Sequence, residues 1–481
     1  MHKLKNYING KLVTPLDGNY IENIEPATGT EYSLVPDSDK QDVDKAVIAA
    51  KKAFPLWSGM PASERSAYLL KIADTIEERL EAFAEAESRD NGKPLSLARE
   101  VDIPRAIANF RFFATAILHS ASEAHITDQT AINYTLKQPI GIAGCISPWN
   151  LPLYLFTWKV APALAAGCPV IGKPSEVTPM TGYLLAEVCY DIGLPAGVFN
   201  IIHGRGPKVG QSIIEHPDIP AISFTGGTAT GKMIAATAAP MFKKLSLELG
   251  GKNPNIIFAD CDFEEALSTT LRSSFSNQGQ ICLCGSRVLV EQSIYDRFRD
   301  ELVARTKNLN VGDPMDKKTN VGAVVSEPHM EKVLSYIKLA EEEGGTILTG
   351  GSRVMLEGRC ADGYFIEPTI IEGLNQQCRT NQEEIFGPVI TIEPFSSEEE
   401  AITMANSTQY GLAASIWTSN IKRANRMASR VQSGIIWVNC WMLRDLRTPF
   451  GGMKQSGVGR EGGYRALNFF AEEKNVCIKL D

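Results

Sequence analysis

Ile140-Gly141-Ile142-Ala143-Gly144-Cys145-Ile146-Ser147-Pro148-Trp149-Asn150-Leu151-Pro152 is where the chain changes character. The apolar run Ile140–Ile146 reads as a buried strand, and Pro148–Pro152 reads as the turn that ends it. The unit then repeats. Cys168–Gly172 is a second apolar run, followed by Lys173-Pro174-Ser175-Glu176 and helical spacing through Tyr190. Phe199–His203, Ala221–Phe224 and Leu245–Glu248 continue the series. Short apolar strands alternating with helices specify an α/β fold with a doubly wound parallel sheet, whose ligands bind at the carboxyl ends of its strands.

Outward from this block, the first third of the chain is helical in pattern. Asp42–Phe54 and Ser63–Glu87 carry apolar residues at three- and four-residue spacing, and Leu95–Leu118 does so around Pro104, which should kink or restart the helix. Downstream, a second alternating set begins near Pro254–Phe258 and runs to about Trp437, which predicts a second α/β domain. Asn475–Leu480 alternates like an exposed strand that a partner subunit would pair with.

A length of 481 residues suggests two or three domains, and 44% hydrophobic residues supply ordinary cores for them. A net charge of −8, with no basic tract, argues against nucleic acid or an anionic membrane as a partner. The N-terminus has no apolar signal segment, and Pro162, Gly167 and Pro169 interrupt the longest apolar stretch. Ten scattered cysteines form no disulfide framework, so a reducing, cytoplasmic location is expected. Neither Cys282-Leu283-Cys284 nor the six histidines have metal-ligand spacing, so no metal is expected.

Two glycine-rich turns invite nucleotide readings. Gly204–Gly210 lies between a strand and a helix but lacks dinucleotide-fingerprint spacing, so an ordinary turn is an equal alternative. Gly226-Gly227-Thr228-Ala229-Thr230-Gly231-Lys232 nearly matches a P-loop, but Met233 replaces the magnesium-binding hydroxyl. The strand-to-helix turn still offers N–H groups to a pyrophosphate. Cys282, Glu248 and Asn150 carry more weight together than apart. A lone cytosolic cysteine is usually a small core residue, and Glu248-Leu249-Gly250-Gly251 alone is more often structural. A thiol, a carboxylate and a side-chain amide are nonetheless the set that acyl-thioester chemistry requires.

Seven segments in one order carry a resemblance over essentially the whole chain. They are Pro148-Trp149-Asn150, Lys173-Pro174-Ser175-Glu176, Phe224-Thr225-Gly226, Glu248-Leu249-Gly250-Gly251-Lys252, Phe275–Arg287, Glu384-Ile385-Phe386-Gly387-Pro388 and Pro449-Phe450-Gly451-Gly452. With them the sequence resembles the aldehyde dehydrogenase superfamily. The resemblance implies that Cys282 attacks the aldehyde carbon and that the Asn150 amide and the Cys282 N–H hold the oxyanion. Hydride then leaves for the nicotinamide, and Glu248 activates water to hydrolyse the thioester. Losing one oxyanion donor costs roughly 3–4 kcal/mol. The cofactor implied is NAD, favoured over NADP because Glu176 repels a 2′-phosphate. Its contacts are expected from Ser147, Trp149, Lys173, Ser175, Glu176, Gly206, Gly210, Phe224, Thr225, Gly226, Gly227, Leu249, Gly250, Glu384 and Phe386. At Gly227 many members carry serine. The implied architecture is an NAD-binding domain (1–120 and 140–249), a catalytic domain (250–455) and a small β oligomerisation element (121–139 and 466–481). A homodimer or homotetramer is expected.

The substrate is expected to be decided in the tunnel, lined by Leu151, Trp158 and Phe450 together with Arg105 and Arg444; Arg447 is a further candidate. The plain alternative has both arginines solvated or paired with Asp102 and Asp445. Placed by the resemblance in one tunnel, the two arginines suit an aldehyde with a remote carboxylate. Asp102-Ile103-Pro104-Arg105, Ser147–Tyr154 and Asn439-Cys440-Trp441 with Arg444–Arg447 resemble the muconic semialdehyde dehydrogenase branch. Cys440 favours 2-aminomuconate 6-semialdehyde over 2-hydroxymuconate 6-semialdehyde. Acyl transfer to coenzyme A is disfavoured by Glu248, NTP hydrolysis by Met233, and a non-enzymatic role by the intact Cys282, Glu248 and Asn150.

Overall fold

The computed structural model describes residues 2–480. Five parallel strands centre an eight-stranded sheet: Lys244–Glu248, Ala221–Thr225, Ala143–Ile146, Val170–Lys173 and Phe199–Ile201, in that spatial order. Ala143–Ile146, first in sequence, lies in the middle, so the winding reverses between it and Ala221–Thr225. The carboxyl ends of those two strands open the crevice where such sheets bind ligands. Ser147–Asn150 and Thr225–Gly227 leave the sheet there.

A second sheet has seven strands, ordered Thr346–Thr349, Thr369–Glu372, Val389–Phe395, Arg287–Glu291, Pro254–Ile257, Ala413–Trp417 and Ile435–Val438. All are parallel except Thr346–Thr349. The large apolar core joins the early helices, through Phe110 and Phe113, to the Pro152–Ala166 helix and to Cys284 and Trp441 beside the second sheet. That helix is buried along nearly its whole length, which explains why its sequence is apolar all round.

Several expectations need correction. The segment Ser63–Glu87 is two helices, Ala62–Glu78 and Leu80–Asn91, because Arg79 leaves helical geometry (φ −107°, ψ 20°). Leu95–Leu118 contains a wide π turn over Ala98–Asp102. A new helix, Ile103–Ala116, starts with Pro104 in its first turn, where the missing N–H costs nothing. The strand expected from Ile140 begins at Ala143, since Gly141 takes φ +130° and the Ile140 N–H turns to the Phe470 carbonyl. The C-terminal strand, Ala471–Lys479, pairs within its own chain, antiparallel to Ala131–Pro139, which also pairs with Ala124–Thr127. Residues 466–469 lie in a helix, Gly463–Phe469, packed against Pro152–Ala166, so they are outside that small sheet. Gly457–Val458 adds an edge to the eight-stranded sheet beside Lys244–Glu248, returning the chain to the first domain after residue 455. Among the described residues no helix is long and apolar enough to cross a membrane.

Candidate active site

Cys282 sits in a loop held under backbone strain. The Phe263–Phe275 helix stops before Asn277, Gln278 and Gly279, which take φ of 51°, 55° and 69° in succession. Left-handed backbone at non-glycine residues costs about 1–3 kcal/mol each and persists where the surroundings over-determine it. Here the Gln278 amide donates to the Ala323 carbonyl (2.6 Å), and the Asn253 amide donates to the carbonyls of Cys282 (2.7 Å) and Cys284 (2.8 Å). Cys282 is partly accessible from the crevice, whereas Cys284 is buried and lies away from it. Burial, then the charges of Glu384 and Glu248, pushes the Cys282 thiol up, so it is protonated at rest and needs a base.

Glu248 supplies a carboxyl at the end of the Lys244–Glu248 strand. It is 3% exposed, and neither oxygen has a hydrogen-bond partner. Burial and then the charge of Glu461 raise its pKa well above the carboxylate range. Behind it is a buried polar cluster that sequence reasoning missed. Lys159 Nζ lies 2.8 Å from Glu461 Oε1 and 3.3 Å from Ser223 Oγ, and the Ser223 hydroxyl donates to Glu461 at 3.1 Å. Lys159 is the one charged residue of an otherwise apolar helix, which was the available signal.

Asn150 is locked to the nucleophile loop. Its side-chain amide donates to the Gln280 carbonyl (2.9 Å), leaving a second N–H free. Its own backbone carbonyl accepts from Asn277 (2.9 Å), Lys93 Nζ (3.1 Å) and Asn91 (3.3 Å). Lys93 is fully buried and also donates to Asp102 (2.5 Å), with Glu87 at 3.7 Å. Sequence reasoning missed Asn91, Lys93 and Asn277 as well, since a charge in Asn91-Gly92-Lys93-Pro94 reads as a surface turn.

A cavity of about 280 Å³ joins Cys282 to Pro148, Trp149, Asn150, Thr225, Gly226, Gly227, Leu249, Gly250, Glu384 and Phe386. Its polar groups fit a dinucleotide. The hydroxyls of Ser147 and Thr225 are buried without partners, and a Cβ on Gly250 would meet Glu384 Oε2 at 2.3 Å, so a side chain there would displace the Glu384 carboxylate. Phe224 packs on Gly226, and open space surrounds Gly227. Glu384 accepts from the Gly251 N–H (2.8 Å). Phe386 has φ 63°, its carbonyl is held by His329 Nε2 at 2.7 Å, and its ring packs edge-on against Trp149. His329 and Lys332, on the Glu327–Glu342 helix, also line the cavity and were not anticipated.

Further along the crevice, Lys173 Nζ and the Gly206 N–H donate to Glu176 (2.8 and 3.0 Å), whose carboxylate faces a second cavity with Val177 and Arg205. Six expected cofactor residues, Ser147, Lys173, Ser175, Gly206, Gly210 and Phe224, do not themselves line these cavities. Ser175 closes its own turn by accepting the Val177 N–H, and Gly210 ends the π turn Gly206–Gly210.

On the far side of Asn150, a cavity of about 670 Å³ is lined by Leu151, Tyr154, Arg105, Arg444, Cys440 and Trp441, among others. Its arginines are not neutralised by their sequence neighbours: Asp102 is taken by Lys93, and Asp445 by Arg447. Arg105 Nε and Nη2 are buried with no acceptor. Burial depresses the Arg105 pKa, and the nearby Arg444 charge depresses it further. Trp158 and Phe450 do not line this space. Their rings pack under the guanidinium groups, with Arg444 Cζ 4.1 Å from the Phe450 centroid and Arg105 Cζ 5.7 Å from that of Trp158. Arg447 is exposed and paired with Asp445, which removes it from the tunnel.

Comparison with known proteins is consistent along the chain. The model of the Aldehyde dehydrogenase family matches residues 13–476. A 2-aminomuconic semialdehyde dehydrogenase of Danio rerio is 50% identical, covering 99% of this chain and 98% of the relative. A 2-hydroxymuconic semialdehyde dehydrogenase of Pseudomonas sp. (strain CF600) is 48% identical over the full length of both. The NAD+ complex structure of an aldehyde dehydrogenase from Bacillus cereus superposes with a TM-score of 0.97 at 40% identity, covering 100% of this chain and 97% of the other.

Proposed function

The chain belongs to the aldehyde dehydrogenase family, and on that premise we propose that it oxidises a muconic semialdehyde to the dicarboxylate with NAD. The amino compound, 2-aminomuconate 6-semialdehyde, stands ahead of the 2-hydroxy compound, supported by Cys440 in the tunnel wall and by the 50% identity of the amino-named relative. One observation carries the substrate class. Two guanidinium groups converge in the tunnel, neither has a carboxylate partner, and two N–H-bearing nitrogens of Arg105 are buried without an acceptor. Buried cations of this kind are costly unless a ligand carboxylate completes them.

The residues then divide the chemistry. Cys282 Sγ bonds to the aldehyde carbon as its proton passes to Glu248, and the carbonyl electrons move onto oxygen. The free N–H of Asn150 and the Cys282 N–H stabilise that oxyanion. NAD, when bound, would supply the hydride acceptor, and Trp149, Phe386 and Glu384, which line the same cavity as Cys282, would hold it. Once the thiol proton has passed on to solvent, the ionised Glu248 takes a proton from water, whose oxygen attacks the thioester carbon and releases the acid and the Cys282 thiolate. The carboxyl of Glu248, unpartnered and raised in pKa, suits both proton transfers. The Lys159–Glu461 pair behind it tunes that carboxyl and supports the same reading.

The test is NADH formation from 2-hydroxymuconate 6-semialdehyde and from hexanal, with the parent enzyme and Arg105→Ala/Arg444→Ala. The parent is expected to prefer the muconate strongly. The double variant should lose that preference by about a hundredfold, the size of two charge-assisted hydrogen bonds of about 1.5 kcal/mol each. Equal use of both aldehydes by the parent would leave an aldehyde dehydrogenase of another substrate class.

A further inference from the structure

Tyr154 occupies the tunnel between the two arginines. It lies on the Pro152–Ala166 helix, one turn before Trp158, and its residue is 2% exposed while lining the 670 Å³ cavity. Arg105 Cζ is 5.4 Å and Arg444 Cζ 5.9 Å from its ring centroid. Its hydroxyl accepts an N–H from Arg444 Nη1. A phenol that accepts one hydrogen bond still has its own proton to donate, and among the described residues no acceptor takes it. The carboxylates near this wall are otherwise engaged or remote. Asp102 is bonded to Lys93, and Glu100 and Glu265 are exposed at the cavity's outer edge. Arg105, Arg444 and Tyr154 therefore present donors to one space, whose lining carboxylates are either bonded to Lys93 or exposed.

We propose that Tyr154 is a specificity-determining residue, whose phenolic O–H donates directly to the remote carboxylate of the substrate as the third member of an Arg105–Tyr154–Arg444 anchor. This rests on the carboxylate-aldehyde reading above. The arrangement has a chemical logic. A carboxylate has about four lone-pair sites, and two arginines alone crowd two like charges about it. A neutral donor between them adds a hydrogen bond without adding repulsion.

The discriminating pair of substrates is 6-oxohexanoate and hexanal, which differ only by the terminal carboxylate. The measured quantity is the ratio of their kcat/KM values. In the parent enzyme 6-oxohexanoate is expected to win by a large factor; if it does not, the carboxylate reading itself fails. Given that preference, Tyr154→Phe, which keeps the ring and its packing, should reduce the ratio about tenfold or more, with the loss appearing in KM for 6-oxohexanoate. A preserved ratio would overturn the proposal while leaving the arginines standing. A second variant separates direct donation from a role as a prop for Arg444. In an Arg444→Ala background there is no guanidinium to prop, so Tyr154→Phe should still raise KM for 6-oxohexanoate several-fold. If the double variant matches Arg444→Ala alone, Tyr154 acts only through Arg444 and the proposal is overturned.

Discussion

Glu248 and Glu461 show how a single charge sets the working range of a base. Both are buried, and the Glu461 carboxylate is the second cause, after burial itself, of the raised Glu248 pKa. A raised carboxyl is protonated over a wider range, so thioester hydrolysis gains its base only as pH climbs through that value. Glu461→Gln removes the like charge and leaves Lys159 to favour ionised Glu248. The acid limb of hydrolysis, followed in single-turnover experiments, should therefore move to lower pH. A limb that stays put, or moves up, would mean that Glu461 does not act on Glu248 through its charge. Cys282, Glu248 and Asn150 were legible as candidates because each stands in a short family motif. Glu461 and Lys159 were not, because their partnership spans 302 positions.

Local elements carry their own constraint, which is clearest at the nucleophile loop. Three consecutive left-handed residues aim Cys282 into the crevice, and Gly279 is the tightest point. A Cβ there would lie 2.0 Å from the Gly387 carbonyl oxygen, on the segment that also bears Phe386 and Glu384. Gly279→Ala combines that clash with about 1–3 kcal/mol of backbone strain. It is expected to lower Tm by roughly 5 °C or more and to depress turnover further by separating Cys282 from Phe386. Unchanged melting would show that the loop relaxes freely. The neighbouring elements were partly legible. Buried parallel strands must be apolar, so every strand of the first domain's central five was expected within a few residues. The π turn before Pro104 was not, because apolar spacing does not distinguish one wide turn from the helical turns on either side of it.

Over the whole molecule, the small antiparallel sheet stands apart from both domains and shows an apolar row. Ile126, Ile132 and Ile478 lie in register across its three strands and are 72%, 36% and 51% exposed. An exposed, aligned apolar row is where the homo-oligomer expected from the C-terminal strand would make its contact. Ile132→Glu/Ile478→Glu is predicted to lower the mass measured by light scattering, with the fold intact by circular dichroism. An unchanged assembly would place the oligomer contact elsewhere. The alternation of strands and helices and the doubly wound class came from local pattern, the thiol–carboxylate–amide set from short motifs, and the placing of Arg105 and Arg444 in one tunnel from the family resemblance. Hydrophobic period and short motifs are written in neighbouring residues. What waited for the folded chain were pairings of distant residues: Lys93 under Asn150, Lys159 with Glu461, and Tyr154 with Arg444, 290 positions apart. The physical reason is that a buried charge or hydroxyl takes its meaning from the partner that replaces water, and only packing brings that partner within hydrogen-bond distance.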